Sequence, residues 1–262
     1  MQMSLPQTDT PRLEAIASQL VLWSPTPPRR GTGDPLRQLI FAMVSEGAAP
    51  SVGIAVFNRL RAHFPNWRAL RDATPEALDS CLVGLKSAAR LRQALPEVLF
   101  AIEQRCDELD LEHLSTLPTA AARDWLLALP HVSSTVADAV LAFSALSRPI
   151  FSIDQTAAQV LRRARLCDPG APLSAMGAQL SLIAPAHWSS ADYVAFADRL
   201  GQLGRRLCRD DRPRCEDCPI REKCPTGQDA SAQIISFPSK RGRTSSGARA
   251  ENSEAPKHQR DG

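Results

Sequence analysis

The sequence predicts an all-α fold, and three observations carry that prediction. Helix-start signals, an Asp, Ser or Thr followed by Pro or by an apolar run, recur along the chain. Short joints marked by Pro or Gly separate the runs. The strict apolar–polar alternation of a strand is sparse.

The elements follow in order. PRLEAIASQLVLW, residues 11–23, places Leu13, Ile16, Ala17 and Leu20 on one face of a short amphipathic helix. SPTPPRRGTGDP breaks that periodicity and reads as a linker, so residues 1–33 form an N-terminal helix and linker. DPLRQLIFAMV opens a second helix with an Asp cap and a Pro in the first turn. SVGIAVFNRLRAHF, TPEALDSCLV and AARLRQALPEVLFAIEQRC continue the helical series. LPTAAARDWLLAL carries another start signal, a tight turn falls at 130–133, and a further helix runs from about Ser134. FSIDQTAAQVLRRA begins a helix immediately after Asp154. Residues 228–262 are Ser-, Ala- and Arg-rich with few apolar side chains, the composition of a disordered basic tail.

Composition narrows the class. A chain of 262 residues holds one large or two small domains, and 44% hydrophobic residues are ample for a core. No apolar run reaches the roughly 18 residues of a membrane helix, so no membrane is expected. The net charge is only +3, and the tail carries that excess. A nucleic-acid surface must therefore come from local segregation of charge. Lysine occurs only at Lys86, Lys223, Lys240 and Lys257, so arginine supplies most of the positive charge. Arginine forks suit phosphate but cannot form a Schiff base.

Four cysteines near the C-terminus carry the most chemistry. Cys208, Cys215, Cys218 and Cys224 are spaced C-x6-C-x2-C-x5-C in LCRDDRPRCEDCPIREKCP. Four thiolates this close can wrap one zinc ion or a [4Fe–4S] cluster. Structural zinc usually takes two short-spaced pairs, and this run has one, so the spacing favours the cluster. Disulfides need an oxidising compartment. MQMSLPQTDTPRLEA shows no signal-sequence pattern, and a cytoplasmic, nucleoid-associated protein is expected. Cys81, Cys106 and Cys167 stand singly and read as reduced thiols.

This cysteine spacing closely resembles the cluster loop of the endonuclease III family of DNA glycosylases, and the resemblance extends over most of residues 34–225. It implies two helical lobes with a DNA-binding cleft between them. Residues 34–147 are the barrel lobe with a helix–hairpin–helix. Residues 148–227 are the cluster lobe, against which residues 1–33 pack. It also implies a [4Fe–4S] cofactor, and a monomer acting on double-stranded DNA with a damaged or mismatched base.

The family's hairpin reads L-P-G-V-G, and its glycines bring backbone N–H groups to a phosphate. Here Leu129, Pro130 and Val132 keep the frame, while His131 and Ser133 replace the glycines. A Cβ where φ must be positive costs roughly 1–2 kcal/mol, so the turn is strained or differently shaped. Ser133, Ser134 and Thr135 can cap the next helix or bond a phosphate, and His131 can add charge there.

Asp154 in FSIDQTAAQVL matches the family's Asp in V-D-T-H-I. That residue stabilises the positive sugar and helps activate the nucleophile. A helix cap is a compatible second role. Gln155 and Thr156 replace the family's Thr and His. Bifunctional relatives carry a Schiff-base Lys where Thr135 stands, so the resemblance points to a monofunctional, water-using glycosylase.

Two loops complete the resemblance. VGLKSAARL is similar to the family loop that enters DNA opposite the flipped base, which makes Leu85 and Lys86 contact candidates. Gly47 takes the position of a Gln that plugs the gap, and glycine cannot plug one. Glu46 beside it reads as a solvated loop residue. Arg209, Arg212 and Arg214 are expected to face DNA, with Arg205 and Arg206 packing or screening the cluster. Arg162, Arg163 and Arg165 form another phosphate face. The rival readings are a non-catalytic DNA-binding protein on the same fold and an abasic-site lyase using another amine.

Overall fold

The computed structural model describes residues 9–25, 33–106 and 108–229. Residues 230–262 of the expected basic tail and part of the linker lie outside these residues, while 228 and 229, expected to open the disordered tail, are helical. The described residues include eleven named α-helices, a helical stretch at 225–229 and short 3₁₀ turns. The only β pairing among them is one isolated parallel bridge between Gly33 and Ser144. No described helix is long and apolar enough to cross a membrane.

The helices are α1 (Thr10–Trp23), α2 (Pro35–Ser45), α3 (Pro50–His63), α4 (Trp67–Arg71), α5 (Pro75–Leu82) and α6 (Ala88–Arg105). They continue with α7 (Thr119–Leu127), α8 (Ser134–Phe143), α9 (Gln155–Arg163), α10 (Leu173–Ile183) and α11 (Ser190–Arg206). Their starts follow sequence chemistry. Asp34 stays extended and its carboxylate accepts from the Leu36 and Arg37 amides at 2.8 and 3.3 Å. Asn66 and Thr74 cap α4 and α5 the same way, while Ser189 and Asp192 close a reciprocal capping box on α11.

Apolar faces bury into two separate clusters. The first gathers side chains of α2 to α8, among them Leu39, Val56, Leu82, Leu95 and Val140. The second takes Leu13, Ile16 and Leu20 of α1 together with α9, α10, α11 and Ile220. Phe151, fully buried, anchors the second cluster against Tyr193, Trp188 and Phe196, with ring centroids 4.3, 6.3 and 6.0 Å away. The chain passes from one cluster to the other through residues 144–154, where the Ala145 amide donates to Gly33 O at 2.6 Å. The Asp154 end of α9 therefore stands where the two clusters meet.

α9 and α11 pack unusually closely because α11 carries Gly201 and Gly204 on the shared face. A Cβ on Gly204 would lie 2.4 Å from Thr156 O, and one on Gly201 would lie 3.3 Å from Asp154 Oδ2. Bare backbone thus meets α9 at its first turn.

Candidate functional site

Asp154 is extended, φ −86° and ψ 172°, and caps α9. Oδ1 accepts from the Ala157 amide and from the Thr156 hydroxyl, each at 2.7 Å. Oδ2 faces Arg205 Nη1 at 3.1 Å, and the same Nη1 donates to Thr156 Oγ1 at 3.3 Å. The side chains are partly open, 48% for Asp154 and 34% for Arg205. A half-solvated ion pair like this contributes little to stability. Thr135, in the first turn of α8, reaches Ile153 O at 3.5 Å, one residue from the carboxylate. Thr135 thus contacts the residue before Asp154, and its side chain is a hydroxyl and not an amine.

The hairpin between α7 and α8 keeps one of the two expected backbone features. His131 takes the first glycine position with φ 62°, in the left-handed region. Ser133 takes the second with φ −81°, an ordinary extended cap that accepts from the Val136 amide at 3.2 Å. The turn is therefore strained at one residue and reshaped at the other. His131 Nε2 lies 2.6 Å from Glu97 Oε2. Hydrogen bonds from His131 and then Gln93 hold the Glu97 carboxyl below the usual range. Arg123 of α7 grips Asp138 of α8 at 2.6 and 3.2 Å and staples the two helices. Burial outweighs that partner and raises the Asp138 carboxyl.

Several expectations are corrected here. Glu46 is not a free loop residue. It is 27% exposed, accepts from the Ser133 hydroxyl, and pairs with Arg90 at 3.2 Å, which ties α2, the hairpin and α6 together. Leu85 is 8% exposed and belongs to the first core. Its loop turns at Gly84, φ 95°, and presents Val83, 66% exposed, and the exposed Lys86 instead. Gly47, φ 70°, has no atom within 4 Å of a built Cβ, so its turn, not crowding, calls for glycine. Ser134 is half-buried at the start of α8.

The cysteine loop is stapled from two sides. Arg163, expected on an exposed phosphate face, turns into the loop. Its guanidinium donates to Cys208 O at 3.2 Å, Cys208 Sγ at 3.4 Å and Arg209 O at 2.7 Å. Its carbonyl accepts from Thr226 Oγ1 at 2.9 Å and from Cys224 Sγ at 3.4 Å. Arg12 of α1 holds Lys223 O at 3.0 Å. The four thiols line one hollow with Val160, Leu203, Leu207 and Ile220, about 380 Å³ counting its open mouth. Among the described residues, no three His, Cys, Asp or Glu side chains converge as ligands of a single metal ion. Burial pushes the Cys218 thiol up to about 11. It also raises Cys215 and Cys224, with neighbouring sulfurs adding to the effect.

Arg205, expected to pack or screen near this loop, faces Asp154 instead. Arg206 lies over the Trp23 ring at 5.7 Å. Arg209, Arg212 and Arg214 are exposed, with Arg209 3.6 Å from Asp211 and Arg214 paired to Asp217. The partnership of Arg205 with Asp154 spans 51 positions. The local hint of it is the glycine pair at Gly201, one turn before Arg205, and Gly204, immediately before it.

Comparison with solved structures settles the architecture. A trapped endonuclease III–DNA covalent intermediate superposes with a TM-score of 0.70 over 85% of this chain and 98% of that one, at 17% identity. This chain has the fold of endonuclease III. A thermostable thymine-DNA glycosylase gives 0.66 over 84% and 98% at 14% identity. The H. pylori 3-methyladenine DNA glycosylase bound to 1,N6-ethenoadenine gives 0.55 over 76% and 97% at 15% identity. No protein-family model matches the sequence. α7, the 130–133 turn and α8 form two helices joined by a tight turn, and Asp154 follows them at the junction.

Proposed function

We propose that the protein is a monofunctional DNA glycosylase that flips a damaged or mismatched base from double-stranded DNA and hydrolyses its N-glycosidic bond. The observation that carries this reading is the half-open Asp154 carboxylate at the junction, one residue from the contact made by Thr135. The 3-methyladenine DNA glycosylase bound to 1,N6-ethenoadenine, a solved structure of this fold, supports base excision. As the bond to the base breaks, its electron pair leaves on the base and positive charge grows on the sugar. The carboxylate stabilises that charge and accepts the proton of the water that attacks C1′. Thr135 offers a hydroxyl and no amine, so no Schiff base forms there.

His131, Ser133 and Ser134 at the α8 N-terminus are read as the phosphate site, where the helix dipole and free amides favour an anion. Lys86 and Val83, the exposed side chains of the loop around Gly84, face the opened base step, with Gly47 leaving room beside it. Arg209, Arg212 and Arg214 supply the salt-sensitive backbone contacts.

Cys208, Cys215, Cys218 and Cys224 fit a [4Fe–4S] cluster. The four thiols line one hollow, and a cubane takes four thiolates of this kind. When bound, such a cluster ties the loop together. Arg163 would orient the Cys208 side and Arg12 the Lys223 turn.

A second reading, a DNA-binding protein without catalysis, draws on the full occupation of Asp154 by its cap and Arg205. One experiment separates the two. Duplexes with single lesions are incubated with the protein and read with and without alkali. Base release leaving an alkali-labile intact strand, with no complex trapped by borohydride, is expected. Asp154→Asn should keep binding and lower release by about 10²-fold or more. Efficient trapping would point to lyase chemistry through Lys86. Tight binding without release of any lesion would favour the binder.

A further inference from the structure

The carboxylate of Asp154 is held on both oxygens, and its two holders are joined to each other. Oδ1 takes the Thr156 hydroxyl proton at 2.7 Å besides the Ala157 amide. Oδ2 takes Arg205 Nη1 at 3.1 Å. The hydroxyl has one proton. The 2.7 Å bond to Asp154 claims it over Gly201 O at 3.3 Å, which leaves the hydroxyl oxygen to accept from Arg205 at 3.3 Å. Arg205, Thr156 and Asp154 therefore close a ring that fixes the carboxylate plane. Ala157 alone, bonding one oxygen, would leave that plane free to turn. Gly201 leaves the space the ring needs, since a Cβ there would sit 3.0 Å from Arg205 Nη1 and 3.3 Å from Asp154 Oδ2.

We infer that Thr156 and Arg205 are a two-sided clamp that orients the Asp154 carboxylate toward the reacting sugar. This rests on the reading of Asp154 given above. Both are positioning residues: they act through the carboxylate and not on the sugar. Orientation of a catalytic group by locked neighbours is worth large factors in rate, because only the correctly placed charge meets the charge that develops.

The test needs no knowledge of the excised base. The full chain is titrated with two duplexes that differ at one residue. One carries tetrahydrofuran, a neutral abasic-sugar analogue. The other carries pyrrolidine, protonated at neutral pH, which mimics the positive sugar of the transition state. The readout is the ratio of the two dissociation constants, and affinity for the neutral duplex reports that the variant is folded.

The parent protein should prefer the cationic duplex, and Asp154→Asn should erase that preference. Thr156→Val should lower it about tenfold or more, with Thr156→Ser close to the parent. Arg205→Ala should also lower it, and Arg205→Lys should retain most of it. Removing a cation would by itself tighten the cationic duplex, so a fall at Arg205 reports orientation and not charge. If Asp154→Asn erases the preference while Thr156→Val and Arg205→Ala leave it unchanged or raised, the clamp is refuted. If the parent shows no preference, or Asp154→Asn keeps it, the reading of Asp154 fails and the clamp falls with it.

Discussion

Gly204→Ala tests the packing that places the site. The added Cβ would come 2.4 Å from Thr156 O, 2.8 Å from Thr156 C and 3.0 Å from Thr156 Cβ. Carbon needs about 3.5 Å from such neighbours, so α9 and α11 must part by roughly 1 Å at this point. Two of the three clashing atoms are backbone, which cannot swing away. The strain then belongs at the upper end of overpacking, about 3 kcal/mol. Alanine recovers about 1 kcal/mol through its better helix propensity. The net loss is about 2 kcal/mol, a fall in Tm of roughly 4–8 °C for a domain of this size. Thermal unfolding followed by circular dichroism measures it. Gly170→Ala is the control, because its Cβ would meet only Asp168 Oδ1 at 3.5 Å. A Gly204→Ala protein that melts with the parent would refute the close seam between the two helices.

Three further outcomes are expected. Purified protein should be brown, absorb broadly near 400 nm (about four irons per chain), and lose its metal in Cys215→Ser; one zinc and no iron would remove the cluster assignment. Joint replacement of Arg209, Arg212 and Arg214 by Ala should weaken binding to all duplexes alike and flatten its salt dependence, and unchanged affinity would assign them to the loop itself. Burial pushes the Cys167 thiol from 9.0 up to about 12, so it should resist alkylation at pH 8 in the folded state. Its folded pKa is the raised one. Its contribution to stability is therefore present below the unfolded value and lost as pH climbs toward about 12, and Cys167→Ser should flatten that alkaline decline in urea midpoints.

Local chemistry was readable along the chain. Asp34 before Pro35, Thr74 before Pro75 and Asp154 before Gln155 each mark a helix start that the structure shows as a side-chain cap. The apolar face of residues 11–23 likewise appears as buried Leu13, Ile16 and Leu20. What stayed hidden depends on contacts between distant segments. Nothing near Arg205 tells that it faces Asp154 and not the cysteines that follow it. Arg163 looked like a surface charge because three arginines crowd the end of α9, and only the fold shows it turned under Cys208. Glu46 looked solvated because Arg90 and Ser133, its partners, lie far along the chain. The short α4 and the apolar α10 also escaped notice. α4 is only five residues long, and α10 lacks a side-chain cap to announce it.

The bare seam on α11 has a consequence for how this site can change over generations. At Gly201 and Gly204 the distance between two helices is set by atoms that are absent, and no residue is smaller. Every substitution there is an addition, which presses on the Thr156 backbone at Gly204 and on the tips of Arg205 and Asp154 at Gly201. The opposite wall is Thr156, which is the contact for Gly204 and a member of the ring around the carboxylate. Spacing and orientation are thereby tied to the same residue, and because the nearest Gly204 contacts are Thr156 backbone atoms, a lineage that loses this glycine cannot restore the seam by changing the Thr156 side chain.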